Sequence, residues 1–389
     1  MMIALTNGNI NTITNGVIKR GTILIDKGKI VDVGPDVEIP GNAEEINLRG
    51  KWVTPGLVEA HCHIGIWEEA IGWAGRDGNE ATDPITPQVR ALDGIKANAN
   101  EGGLTAAYEN GITTVQILPG SANVIGGTGV VIKTAPKPTV DEMLIRNPSG
   151  MKAAFGENPM SVYGKNKVLP ATRMGEAGVM REWLYKAKTY MEKKELFKDK
   201  PEKLPEKDLK LEALIPVLKG EIPMRVHAHR ADDVAIAIRI CEEFGVKMSW
   251  EHATEGHRIA DYIAEKGIPA VWGPGLNWRT KWETRERSFE TVKTLVDAGV
   301  KVALQTDADN GKIGFLPISA ALAIRDGLSE EEAWRTITIN PAEILGVGDC
   351  VGSIEKGKDA DLRITKGDPL DPRSRVHMVF IDGELVFSR

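Results

Sequence analysis

Residues 52–68 read WVTPGLVEAHCHIGIWE, and the run ending in His61 and His63 decides how the rest of the chain is read. GLVEAHCH has the length and apolarity of a strand. Side chains at i and i+2 of a strand project from one face, so His61 and His63 can bind one ion together, while Cys62 points the other way. A His-x-His pair alone is equally an ordinary surface or structural feature. What surrounds it must decide.

Downstream, apolar strand-like runs alternate with helical patterns, the signature of βαβ units around a parallel sheet. Eight such runs can be counted: GLVEAHCH, TTVQILP, GVVIKT, GMKAAFG, PMRVHAH, VKMSWEH, IPAVWGP and VKVALQTD. Between several lie helical stretches such as DDVAIAIRICEEFG and SFETVKTLVDAG, each closed by a glycine suited to a helix C-cap. Eight strands over this length predict a distorted (β/α)₈ barrel with insertions. The Lys/Glu-rich segment 184–220 is one insertion and reads as a solvated helical face. Outside the barrel, residues 1–54 and 347–389 share a texture of short β runs and turns, including an Asp-Gly hairpin signal between MVFI and ELVF. The expected division is a composite β-sandwich domain from 1–54 and 347–389, and a barrel over 55–346.

Composition narrows the function. The chain has 389 residues, 42% of them hydrophobic, with 49 basic and 55 acidic side chains and a formal net charge of −6. That balance offers no electrostatic attraction for nucleic acid or an anionic membrane surface, so a small-molecule partner is expected. Three scattered cysteines, Cys62, Cys241 and Cys350, suggest no disulfide framework and fit a reducing cytoplasm. No apolar run reaches membrane length, and the N-terminus has no signal-peptide pattern. A homo-oligomer is compatible with all of this.

In a barrel of this kind the C-terminal strand ends converge on one mouth. His61 and His63 end strand one, His227 and His229 strand five, His252 strand six and Asp307 strand eight. Six of the seven histidines, with His257 the sixth, fall at or just past strand ends, where chance would scatter them. Imidazoles with a carboxylate suit Zn²⁺, and also Fe²⁺, Mn²⁺ or Ni²⁺, in a catalytic site. Such an ion lowers the pKa of water toward about 7 and polarises a carbonyl or amidine. Asp307 would take a proton from that water and pass it to a leaving nitrogen.

The runs VTPGLVEAHCH, HAH, EH and TDA, with the closing TINPAEILGVGDCVGSIEKGKDADL, resemble the metal-dependent amidohydrolase superfamily across essentially the whole chain, closest in pattern to its imidazolonepropionase-like branch. The resemblance implies His61, His63, His227 and His252 as metal ligands, Asp307 as a catalytic aspartate that also touches metal, and His229 as second-layer or substrate-facing. Two-metal members place a carboxylated lysine on strand four, and some relatives a glutamate. In GMKAAFGENPMSVYG, Glu157 is the preferred ligand because it follows the strand end; Lys152, the lesser candidate, reads without the resemblance as a solvent-facing amine.

The glycine-rich LPGSANVIGGTGVVIKT reads as a turn bringing backbone to the mouth, with weak potential for anion binding. Arg230, His257, Trp278 and Arg279 are the candidate substrate-binding residues, with Trp282 beside them; rim packing is the alternative for the tryptophans. The leading expectation is a hydrolase of a C–N bond in a cyclic amide, N-acyl amino acid or dipeptide, using one or two ions. The alternatives are a single-metal deaminase of an amino-heterocycle and a non-catalytic barrel scaffold.

Overall fold

The computed structural model of the chain describes residues 2–68, 71–97 and 102–389. The eight anticipated barrel strands are all present: β1 (Leu57–Cys62), β2 (Ile112–Ile117), β3 (Ile125–Lys133), β4 (Leu144–Ala154), β5 (Met224–Ala228), β6 (Met248–His252), β7 (Ala270–Trp272) and β8 (Val302–Leu304). They hydrogen-bond in sequence order from β8 to β1. β1, β2, β5, β6, β7 and β8 are buried along their whole length, as strands covered on both faces must be.

One strand departs from the parallel pattern. β3 runs antiparallel to both β2 and β4, so β2 and β3 form a hairpin where a crossover helix was expected. The glycine-rich segment is thus mostly strand: Ile125–Lys133 carries its GGTG, and only residues 118–124 form the turn. Gly127 sits at φ 118°, and a Cβ there would lie 2.4 Å from the Val89 carbonyl, so glycine is required.

β1 and β8 are not paired in a ladder; side chains and single backbone bonds close the seam. The Glu59 carboxylate accepts from Thr306 N–H and, at 2.7 Å, from the Thr306 hydroxyl, and His63 N–H donates to Ala308 O at 2.7 Å. Burial pushes the Glu59 carboxyl up to about 8.

Both chain ends build the second sheet. Its order is Glu384–Ser388, Arg375–Ile381, Leu362–Lys366, Trp52–Pro55, Ile3–Asn11, Val17–Asp26, Lys29–Gly34, with Glu44–Asn47 also pairing to Ile3–Asn11. The Asp-Gly turn is where the hairpin signal put it: Asp382 and Gly383 take φ 50° and 73°, the left-handed pair that matches strand twist. Leu5, Ile23, Val53, Leu362 and Phe380 form this sheet's core. Lys133 on β3 ties the two sheets together, with Asp359 at 2.9 Å, Asp361 at 2.7 Å and Asp382 at 3.0 Å.

The helical expectation for the connection between β5 and β6 holds: Ala231–Phe244 is a helix capped by Gly245 in the left-handed conformation at φ 68°. The charged insertion spans the second half of the helix Arg173–Leu196, a connection with the short turn Pro201–Lys203, and the helix Leu209–Leu218. Among the described residues no helix is long and apolar enough to cross a membrane.

Candidate active site

The strand-end histidines and Asp307 meet at one mouth in two adjoining groups. Ligand atoms of His61, His63 and Asp307 lie within 4.8 Å of one another, as do those of His227, His229 and His252. The His61 and His252 ring centroids, 5.0 Å apart, join the two groups. His61 and His227 project inward from β1 and β5, but His252 and Asp307 reach the site by backbone distortion. His252, Ala253 and Asp307 have φ of 77°, 46° and 52°, left-handed conformations that non-glycine residues adopt at a cost of about 1–3 kcal/mol.

The hydrogen bonds aim the rings. His63 Nδ1 donates to Leu118 O at 2.8 Å and His252 Nδ1 to Gly273 O at 2.9 Å, since a carbonyl can only accept. His61 Nδ1 donates to the buried Glu251 carboxylate at 2.8 Å. Each partner fixes the tautomer that leaves Nε2 with its lone pair facing the mouth. Glu251 is held in turn by Ser249, and Arg225 Nη1 donates to Ser249 Oγ at 3.1 Å, so a polar chain runs down the barrel interior from His61. Burial holds His61, His227, His229 and His252 well below the ordinary imidazole value of 6.5, and therefore neutral.

Two observations fit this donor set to a cation. His227 Nδ1 is buried with no hydrogen-bond partner, a costly state for a ring nitrogen unless something binds it. Asp307 Oδ1 and His63 Nε2, two acceptors, face each other at 3.2 Å, with His61 Nε2 at 3.7 Å from the same oxygen. A shared divalent ion resolves that opposition.

Strand four brings Lys152 to the site and leaves Glu157 out of both groups. Lys152 is fully buried, contrary to its reading as a solvent-facing amine, and its Nζ lies 3.1 Å from His61 Nε2. β4 continues to Ala154, so Lys152 sits two residues short of the end. Its four-carbon stem spans the missing ~6–7 Å that two strand residues represent. Burial pulls its amine down to about 8. Glu157 opens the helix Glu157–Gly164, and its Oε1 accepts from Glu283 N–H at 3.1 Å while Glu283 Oε2 accepts from Glu157 N–H at 2.9 Å. This exchange clamps the loop after β4 to the loop after β7.

A cavity of about 330 Å³ opens above the histidines, lined by His63, His227, His229 and Asp307 on its floor. A larger one, about 750 Å³, lies at the opposite barrel end around Arg225 and Met248, away from this chemistry. Of the anticipated substrate-binding residues, Trp278 lines the site cavity. Arg230 does not: its guanidinium is engaged by Asp232 at 2.8 and 2.6 Å. His257 lines a separate groove, bound to Thr291 and Glu286, and Arg279, exposed and outside the cavity lining, donates to Arg287 O at 2.7 Å. Trp282 is exposed, with the Arg285 guanidinium over its ring. His229 faces the cavity, its Nδ1 2.8 Å from Thr254 Oγ1. The sequence reading missed Asn158, in the first turn of the helix Glu157–Gly164, and Lys281 and Arg287, which come from the loop after β7, where there is no periodic signal. The turn at 120–122 does reach the mouth, as its glycine content suggested.

A barrel whose strand ends gather four neutral imidazoles, an aspartate and a buried lysine defines a hydrolase of the metal-dependent barrel class. The Amidohydrolase family profile matches residues 52–386, and the chain belongs to that family. It acts as a hydrolase on carbon–nitrogen bonds of small molecules, other than ordinary peptide bonds. It is 47% identical to an amidohydrolase from Thermotoga maritima MSB8 whose crystal structure it matches with a TM-score of 0.96 over the whole of both chains. It is 30% identical to Amidohydrolase tasK of Hapsidospora irregularis over 94% of this chain, which spans 40% of that relative's length. It is also 26% identical to the imidazolonepropionase of Maricaulis maris, covering 90% of this chain and 88% of that one.

Proposed function

We propose that this chain hydrolyses the C–N bond of a cyclic amide, N-acyl amino acid or dipeptide, with two divalent ions, most simply Zn²⁺, held by His61, His63, His227, His252, Asp307 and Lys152. The observation that carries the reading is Lys152: a fully buried amine beside His61 Nε2, with no carboxylate within 4.0 Å among the described residues. An amine near pKa 8 is partly neutral at physiological pH and can add CO₂, giving a carbamate and a proton. Such a carbamate would add two oxygen donors to the histidines and Asp307 as ligands for the ions. Glu157, the alternative ligand, is committed to the Glu283 backbone.

When bound, the ions supply Lewis acidity, lowering the pKa of water toward about 7 and polarising the substrate carbonyl. Asp307 accepts the proton of the attacking water and delivers it to the departing nitrogen, so that the amine leaves neutral. His229, packed against His252 with centroids 4.9 Å apart, faces the substrate and acts as the second catalytic group. The lysine beside His61 favours this over the single-metal deaminase. Residues 1–54 and 347–389 would serve as the composite sheet domain of a 55–346 hydrolase barrel. Cys62, Cys241 and Cys350 are joined by no disulfide among the described residues, which accords with a cytoplasmic setting.

Elemental analysis of purified protein should return two equivalents of divalent metal; one equivalent would favour the deaminase. A panel of N-acyl amino acids, dipeptides and lactams should contain a hydrolysed class, with Asp307→Asn lowering turnover by about 10²–10⁴-fold. Metal-free protein that is unchanged by His61→Ala would refute the proposal.

A further inference from the structure

The cavity wall carries an uneven set of charges. Among the described lining residues Asp307 is the one carboxylate, and it belongs to the floor; Lys281 and Arg287 stand on the wall with Asn158, Ser121 and Trp278. Lys281 is partly engaged, its Nζ 3.4 Å from Glu283 Oε1. Arg287 is different. It is 8% exposed, and no carboxylate lies within 4.0 Å of it among the described residues. Its Nη1 donates to Asn277 O at 3.0 Å and, more weakly, to Trp278 O at 3.5 Å. Its Nε is buried with no partner.

The other buried guanidiniums, Arg225 and Arg363, donate to carbonyls and a hydroxyl inside the protein, and although Arg225 Nε also lacks a partner, neither residue lines this cavity. Arg287 instead lines this cavity, where the negative charge of Asp307 attracts it and Arg279 repels it; its Nε is walled off, and its Nη2, without a hydrogen-bond partner among the described residues, is the donor left for a ligand beside Nη1. A buried, unpaired guanidinium is unfavourable unless a ligand completes it, and its planar fork matches a carboxylate through two parallel hydrogen bonds.

We infer that Arg287 determines specificity by anchoring a free carboxylate of the substrate, so that the preferred substrates are small amides bearing that carboxylate close to the scissile C–N bond. This rests on the hydrolytic reading of the cavity given above. The volume of about 330 Å³ sets a low upper size, at the small end of ligand pockets. N-acyl amino acids and carboxylate-bearing lactams fit; neutral amino-heterocycles leave the fork unpaired.

The test uses matched pairs: N-acetyl amino acids and pyrrolidone carboxylate against their carboxamides, binding by calorimetry to metal-loaded Asp307→Asn protein, and turnover by the wild-type enzyme. The acid should bind at least tenfold tighter than its amide. Adding Arg287→Met should weaken the acid tenfold or more and the amide less than threefold, with Arg287→Lys between, because lysine keeps the charge and loses the fork. Loop collapse would weaken both members alike, so the amide separates a structural effect from loss of the anchor. Equal binding of acid and amide, equal loss of both in Arg287→Met, or binding of neither would overturn the inference. Acid-selective binding without wild-type hydrolysis of any probe would sink the reaction and leave the anchor; amides hydrolysed as fast as acids would do the reverse.

Discussion

Replacing Lys152 by methionine should make the metal-free protein more stable and the enzyme inactive. Burial lowers the lysine from 10.5 to about 8. At 1.36 kcal/mol per pH unit, keeping the ammonium inside the barrel costs about 3 kcal/mol near neutrality. Methionine keeps most of the volume and removes the charge. With an unfolding entropy of ~2.1 cal/mol/K per residue over the chain, that gain corresponds to a rise of about 4 °C in Tm. The sign follows from proton binding: between pH 8 and 10.5 the unfolded chain holds the proton that the native lysine has lost, so wild-type stability climbs over this window. The advantage of Lys152→Met is therefore complete below pH 8 and disappears toward 10.5. The assay is thermal unfolding of chelator-stripped, bicarbonate-free protein at pH 7 and pH 10, alongside metal content and turnover of reloaded protein. Metal content should fall and turnover drop by at least about 100-fold, while Glu157→Gln leaves metal content intact. A Tm lowered by several degrees, or full activity in Lys152→Met, would refute the reasoning.

Glu251→Gln replaces the carboxylate that orients His61 and should weaken metal binding or turnover by about 10–100-fold with little change in fold, read by competition with a chelator. Gly273→Ala should be destabilising, because at φ 142° its Cβ would lie 2.2 Å from Gln305 O and displace the carbonyl that holds His252; unchanged Tm and metal affinity would contradict this. Glu176 accepts from Gly156 N–H in a dry site, and burial raises its carboxyl to about 8. Between pH 4.5 and 8 the native state retains a proton the unfolded chain has lost, so this group lowers stability as pH rises. Glu176→Gln removes that slope, and its Tm should gain on wild type from pH 5 to pH 8 by at most the equivalent of about 4 kcal/mol.

Much of the barrel was legible because its signals are local. Strand runs bounded by turns, and histidines at the ends of those runs, carry their positions in the sequence, and strand periodicity puts His61 and His63 on one face. The hidden parts depend on distance through space. Lys152 looked too early in its strand because strand ends are counted along the chain, whereas a lysine stem reaches past two residues. β3 looked parallel because a run of apolar residues has no direction in composition. Arg230 and Arg287 are both arginines on barrel-side loops, and only the folded chain shows that one is already engaged by Asp232 and the other is open to the cavity.

Sequence by itself determined the architecture, the family resemblance and the donor chemistry, since these rest on patterns of residue type repeated along the chain. Tertiary structure decided which lysine or glutamate joins the histidines and which arginine faces the substrate. Those choices turn on burial and on hydrogen-bond partners hundreds of residues apart, such as Glu59 with Thr306 and His61 with Glu251, which no local pattern encodes.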